Sequence, residues 1–319
     1  MSRKPKEISA AGAPPARIGL PSLAWRLAKA LPPAERRKLA LQLIESDAEE
    51  IVFRRGGVIW TGFVWARMVT GNLFAHGSFQ RREIESLLAW MKHRRRLSSP
   101  RNVIVDVGAN IGTTAIPFAL NTSCQVLAIE PVPEIHAVLC RNIAANGLGE
   151  RIKPAAAAIA ASSARQVRMA LSDENSGASE VVRPGRKASF AGERAIRREM
   201  NVRAIGLEKL LAENGMEAER IAFVWADVQG CEADVIATAP KLWAAGVPLF
   251  CEVDPQLWAN GGDPGAFLRQ ARRHFSSFIP AKSLAEKAQP RPIAELPAFC
   301  RGLTPAGADV LLLNEGPTL

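Results

Sequence analysis

Short apolar runs recur through the middle of the chain, and helical periodicity fills the gaps between them. Val103–Val107, Gln125–Ile129 and Ile221–Ala226 are too short for helices and rich in β-branched or aromatic residues, the pattern of strands buried on both faces. Residues 247–253 give a fifth strand of the same kind. Residues 151–159 give a third in the series, weakened by the alanine run 155–158, and 166–171 an extra one. Helical spacing is expected over 113–120, where Pro117 lies one turn inside, and over 134–145, which Asn146-Gly147 ends. It recurs over 205–214 and 257–273, the latter interrupted at Gly261-Gly262. The polar stretch 172–189 has no period and reads as a loop near a substrate, and 194–199 as a charged surface helix. Residues 275–279 and 309–313 supply strands six and seven, with a proline-rich loop between them. Strands alternating with helices predict an α/β fold built on a mostly parallel sheet, with its ligand crevice at the carboxyl ends of the strands.

The first hundred residues read differently. Residues 1–17 are rich in Lys, Pro, Ala and Ser and are expected to be a disordered basic tail. Helices are expected over 21–30 and 33–47, separated by Pro32-Pro33. Residues 51–79 carry Trp60, Phe63, Trp65 and Phe74 among glycines and suggest strands and turns with their aromatics in a core. Residues 81–96 read as a helix with Ile84, Leu87, Leu88 and Met91 on one face. The expected organisation is thus a tail at 1–17, an N-terminal extension at 18–100 ending in a lid-like helix, and one ligand-binding domain at 101–319.

The stretch 101–130 carries the chemistry: strand, the small-residue turn Gly108-Ala109-Asn110-Ile111-Gly112, helix, strand, and then a carboxylate, Glu130. This is the first half of a nucleotide-binding crossover, in which the acid accepts hydrogen bonds from both ribose hydroxyls. Asn110 stands where the dinucleotide fingerprint places its second glycine, the one that admits a pyrophosphate. A ligand with ribose and adenine but no pyrophosphate suits the turn, and S-adenosylmethionine has that description. A nicotinamide-dependent oxidoreductase of Rossmann fold is the rival that would need the missing glycine.

Three segments in order, VIVDVGANIG, LAIEPVPEIHAVLCRNIAANGL and FVWADVQGCEADVI, resemble the FkbM family of S-adenosylmethionine-dependent methyltransferases over roughly residues 101–255. The resemblance implies a Rossmann-like class I methyltransferase fold, a seven-stranded mostly parallel sheet with helices on both faces. It also implies O-methylation of a hydroxyl on a sugar, glycan or secondary metabolite. Asp106, Gly108, Asn110 and Gly112 would then serve the methionine end and the turn, Glu130 the ribose, and Asp227 the methionine end or the acceptor hydroxyl. In that fold the segment before the first strand commonly covers the cofactor, which brings in His76-Gly77-Ser78-Phe79. Transfer to an alcohol needs a base, and Asp227, Glu252, Asp254 and His76 are all candidates. Two departures stand out. Gln229 occupies a position where the family usually has Glu, the one feature that favours a non-catalytic binding module. Past the third strand, Ala160-Ala161-Ser162-Ser163 lacks the usual polar adenine contact, which then falls to a backbone group.

Composition narrows the setting. No apolar run reaches the roughly 18 residues of a membrane span, and the basic N-terminus lacks the apolar core of a signal peptide, so a cytoplasmic location is expected. Five scattered cysteines without CxxC spacing are expected to be reduced thiols, and no metal site is expected. The net charge of +10 lies wholly in residues 1–100, which hold 18 Lys/Arg against 8 Asp/Glu. That asymmetry suits solvated helix faces, or peripheral contact with an anionic surface. Without zinc-finger spacing or RNA-binding aromatics, nucleic acid is not an expected partner.

Overall fold

The computed structural model describes residues 29–45, 47–161, 164–172, 174–182, 196–261, 263, 265–285, 289–303 and 307–314. The expected tail at 1–17 and most of the expected helix at 21–30 lie outside these. Helix α1 (Pro33–Leu43) starts on the Pro-Pro pair, followed by an antiparallel hairpin of β1 (Glu50–Arg55) and β2 (Val58–Phe63). Residues expected to continue as strands and turns instead form helix α2 (Val69–His76). Its sequence, VTGNLFAH, is a poor helix former. Burial of Val69, Thr70, Gly71, Leu73 and Ala75, spread around most of the helix, overrides that propensity. Helix α3 (Arg81–His93) follows, with Ile84, Leu87, Leu88 and Met91 buried as expected.

The crossover unit then runs β3 (Val103–Val107), α4 (Ala115–Asn121), β4 (Gln125–Ile129), α5 (Pro133–Ala145) and β5 (Ile152–Ala155). The third strand breaks after β5. The next pair, β6 (Ala158–Ile159), joins a separate four-stranded sheet with β7 (Gln166–Ser172), β8 (Glu180–Val181) and β9 (Ile196–Ile205), in the order β6-β9-β7-β8. Residues 196–199, expected in a surface helix, are thus strand. Pairing of Ile196, Arg198 and Glu199 with β7 holds them there, and the side chains of Arg198 and Glu199 are both exposed. Residues 183–195 lie outside the described residues.

After α6 (Leu207–Glu213) come β10 (Ile221–Ala226), α7 (Glu232–Ala237), α8 (Pro240–Ala244), β11 (Leu249–Val253), α9 (Pro255–Gly261), α10 (Ala266–His274) and β12 (Ser277–Pro280). The segment expected to be a proline-rich loop contains α11 (Ala281–Leu284), β13 (Arg291–Pro292) and α12 (Leu296–Arg301), before β14 (Ala308–Leu313). Pro292 falls in β13 and Pro297 in the first turn of α12, where the missing N–H costs little.

The large sheet has the order β13-β12-β14-β11-β10-β3-β4-β5, parallel from β5 to β11 with β14 inserted antiparallel. This is the expected seven-stranded class I methyltransferase sheet with one edge strand, β13, added. Alternate residues of its central strands enter two cores. Ile104, Val126, Phe223 and Trp225 pack with α3, α4 and α5, while Val103, Val105, Leu127 and Val224 pack with α6, α7 and α8. No helix among the described residues is long and apolar enough to cross a membrane.

Two asparagines tie the hairpin to this body. Asn142 Oδ1 accepts from the Thr61 N–H at 2.6 Å, and its Nδ2 donates to the carbonyls of Thr61 (3.0 Å) and Ile111 (2.9 Å). One turn on, Asn146 makes the same two-way contact with Ile59. The side chains act as a surrogate strand for the free edge of β2. Arginines of the basic first hundred residues also serve internal carbonyls: Arg37 and Arg55 donate to that of Ala75, and Arg96 to that of Gly246.

Candidate active site

A cavity of about 310 Å³ opens at the carboxyl ends of β3, β4 and β10, where strand order reverses. Its floor is Trp225, stacked on Phe250 with ring centroids 4.2 Å apart. One end is lined by Pro131, Ala157, Ala158 and Ile159, an apolar slot just past β4 and β5. The other end carries Asp227 and Glu252.

The turn after β3 owes its shape to its residue types. Gly108 has φ +89°, and a Cβ there would lie 2.0 Å from the Asp227 carbonyl oxygen. Its requirement for glycine comes from the neighbouring strand end, whose Asp227 N–H donates to the Val107 carbonyl at 3.0 Å. Asn110 takes the left-handed conformation at φ +50°, which asparagine tolerates. Its Oδ1 accepts from the Ile111 N–H at 2.7 Å and from the Ser176 hydroxyl at 3.2 Å.

Glu130 is 5% exposed. Oε2 accepts from the Asn110 N–H at 3.1 Å and Oε1 from the Val132 N–H at 2.9 Å. Each oxygen keeps a lone pair for the cavity. Burial, opposed by those two N–H groups, pushes the carboxyl up to about 7. Alcohol donors from a bound sugar would favour the ionised form.

Three site residues expected from the sequence sit elsewhere. Asp106 is fully buried beneath the cavity. It accepts a hydrogen bond from the Thr114 hydroxyl at 2.5 Å, and its other oxygen has no partner. Burial raises it to about 7. It reaches the cavity only through Thr114, which does line it. Gly112 also faces away, its φ of +99° packing the turn under Ile116 and Leu139. His76 lies exposed at the end of α2, outside the cavity, because the left-handed Gly77 turns the chain there. From the same segment Phe79 and Gln80 reach the site instead.

Asp227 and Glu252 are brought together as adjacent strand ends imply. Gln229 Nε2 donates to Asp227 Oδ1 at 2.7 Å and to Glu252 Oε2 at 3.2 Å. Glu252 pairs in register with Asp309 on β14. Burial, then Asp227, Glu232, Asp309 and Asp254, push Glu252 up to about 9. Asp254 itself caps α9, its Oδ1 accepting from the Gln256 N–H at 2.8 Å. Glu232, 1% exposed, accepts from the Gly230 N–H at 3.3 Å at the start of α7 and is raised to about 7, mainly by burial. No group of three or more His, Cys, Asp or Glu able to hold a metal occurs among the described residues.

Sequence reasoning missed several cavity residues. Gln80, Asn175, Ser176 and Gly177 arrive from segments without motif or period. The expected substrate loop does contribute at 175–181, although 173 and 183–189 lie outside the described residues. The backbone contact expected past the third strand falls partly on Ser162 and Ser163, which also lie outside.

No curated protein matches the chain. Among solved structures it is similar to an O-methyltransferase from Bacillus cereus in complex with SAH, at 10% identity, covering 92% of this chain and 97% of that one, with a TM-score of 0.40. It is also similar to TYW2 from P. horikoshii in complex with MeSAdo, at 13% identity, 88% and 81% coverage and a TM-score of 0.40. A third is the O-methyltransferase TomG from Streptomyces achromogenes, in complex with SAM, at 10% identity, 89% and 100% coverage and a TM-score of 0.40. The decisive match is to the family itself: the model of the methyltransferase FkbM domain fits residues 106–274, from the buried Asp106 to the end of α10 and across both ends of the cavity. The chain belongs to the FkbM methyltransferase domain family.

Proposed function

We propose that the protein is an S-adenosylmethionine-dependent O-methyltransferase acting on a hydroxyl of a sugar, glycan or secondary metabolite. The observation that carries this reading is Glu130, a buried carboxylate with one N–H donor per oxygen and free lone pairs toward an apolar slot on one side and an acid pair on the other. The donor set fits the cofactor. Glu130 would accept from the ribose diol, Pro131, Ala157, Ala158 and Ile159 would hold the adenine, and the backbone of the 108–110 turn would meet the methionine end. The cavity is within the usual size range for a small-molecule site, about 300–1,000 Å³.

When bound, the cofactor supplies a methyl group already activated on a sulfonium. The chain's work is to hold an acceptor oxygen about 3 Å from that carbon and to take its proton. Asp227 and Glu252 stand at the acceptor end and take that role. Both are half-buried at the cavity wall, within reach of a bound acceptor hydroxyl.

The test is a labelled-methyl transfer assay on extracts fractionated into glycans, lipids and small metabolites, with Glu130→Ala as control. Label on oxygen in a fraction, lost in the variant, is the expected result. Cofactor binding without transfer to any fraction would favour a non-catalytic module, and label on nitrogen or carbon would overturn the choice of hydroxyl.

A further inference from the structure

Asp227 receives a side-chain hydrogen bond on each of its oxygens, and both donors are glutamine amides. Gln229 Nε2 reaches Oδ1 at 2.7 Å, and Gln80 Nε2, from the N-terminal extension, reaches Oδ2 at 3.3 Å. Both glutamines have left-handed backbones, φ 50° for Gln229 and 48° for Gln80. Such conformations are costly for non-glycine residues and persist where the surroundings over-determine them. Here both strained positions aim an amide at the same carboxylate.

The groups around the pair are acids. Glu252 faces Asp309 on β14, with Asp254 two residues on and Glu232 at the start of α7; Glu83 on α3 lies near Asp309. No ion pair to Asp227 or Glu252 occurs among the described residues. Two half-buried carboxylates that share one amide donor, with no ion pair to either among the described residues, favour a state in which one of them stays protonated. The donors are unequally divided. Asp227 has two amide N–H groups, and Glu252 has only the longer branch from Gln229. An N–H donor favours the ionised member.

We propose that Gln80 and Gln229 are positioning residues that make Asp227 the anion of the pair and leave its single proton on Glu252. The electrostatics agree. Burial raises both carboxyls, but the Gln229 and Gln80 hydrogen bonds draw Asp227 back down, while neighbouring acids push Glu252 further up. Gln229 then has a reason to differ from the family's usual Glu: a third carboxylate there would bring charge and no N–H. Resting on the methyl-transfer reading, the acceptor's O–H proton goes to Asp227 while the oxygen's electron pair bonds the methyl carbon and the S–C pair stays on sulfur. Glu252 serves as a hydrogen-bond donor to the acceptor.

Carbon-13 NMR of the full chain, labelled at Asp and Glu side-chain carboxyls and titrated between pH 5 and 9, tests this without an acceptor. Asp227→Asn and Glu252→Gln assign the two signals. The expected result at pH 7 is an ionised shift for Asp227 and a neutral one for Glu252. Gln229→Met and Gln80→Met, which keep volume and remove the donor, should each raise the Asp227 midpoint by about one pH unit, a tenfold change in its proton affinity. Thermal midpoints within a few degrees of wild type would separate this from general loosening. A neutral Asp227 beside an ionised Glu252, or midpoints unmoved in both Met variants, would overturn the proposal. Should either variant fail to fold, the order of titration in the wild-type chain still decides. Failure of S-adenosylhomocysteine to bind would defeat the methyl-transfer reading and leave the proton assignment standing.

Discussion

Replacing Asn142 by leucine should destabilise the protein far more than an ordinary helix substitution, because one side chain serves three backbone groups on two segments. Asn142 is fully buried and satisfies the N–H and carbonyl of Thr61 and the carbonyl of Ile111. Thr61 is 7% exposed and Ile111 0%, so little water can take over. Leucine is of similar size and leaves no opening, so all three groups lose their partner. An unsatisfied buried backbone group costs about 1–3 kcal/mol. Allowing for relaxation of the hairpin, the loss is on the order of 3–5 kcal/mol. For a chain of this size each kcal/mol lowers the thermal midpoint by about 2–4 °C, so a drop of roughly 6–20 °C is expected in a calorimetric scan. Asn142→Asp keeps the acceptor for Thr61 but loses both donor bonds, and should destabilise as well. Because Ile111 belongs to the cofactor turn, Asn142→Leu should also weaken S-adenosylhomocysteine binding by isothermal calorimetry. A midpoint within 3 °C of wild type would refute the view that this asparagine joins hairpin to turn.

Other outcomes follow from the same geometry. Gly108→Ala places a methyl against the Asp227 carbonyl on a backbone at φ +89°, and should abolish cofactor binding, read by calorimetry beside circular dichroism to separate misfolding from local loss. His76→Ala should leave methyl transfer within twofold of wild type, whereas Asp227→Asn should cost about 10²–10⁴-fold, the usual share of an acid–base group; equal losses would restore His76 to the site. Stability of the unliganded protein should fall as pH rises from 5 to 8. The folded carboxyls of Asp106, Glu130 and Glu232 sit near 7 and Glu252 near 9, above ordinary values of 3.8 or 4.5. Between the ordinary and raised values the folded state binds more protons, so each group removes up to about 1.4 kcal/mol per pH unit. Urea midpoints that stay level or rise over this range would contradict the assignment.

The central strands were legible because burial on both faces leaves a continuous apolar run, and Val103–Val107, Gln125–Ile129 and Ile221–Ala226 have the expected bounds. Glu130 was legible because a fixed spacing links the turn to the second strand end. Helix α2 was not, since only tertiary burial makes VTGNLFAH helical. The outer sheet was obscured for a related reason: β9 buries one face, and its charged positions imitate a solvated helix. Asp106 departs from the motif because its place inside β3 turns it to Thr114 and away from the cavity. Gln80 and Ser176 carry no local signal; their role arises from contacts 147 and 66 residues away. Asn142 did leave a trace. It falls on the stripe Ile135, Val138, Leu139, Asn142, Ile143, a polar residue on an otherwise apolar face of α5.

The most direct test is calorimetric titration of S-adenosylhomocysteine into wild-type protein and Glu130→Ala, with NAD as comparison. Binding to wild type, weakened about 10–100-fold in the variant, is expected, since hydrogen bonds to a charged group contribute roughly 1.5–3 kcal/mol. Equal affinity for the variant, or heat with NAD and none with the adenosyl thioether, would contradict it.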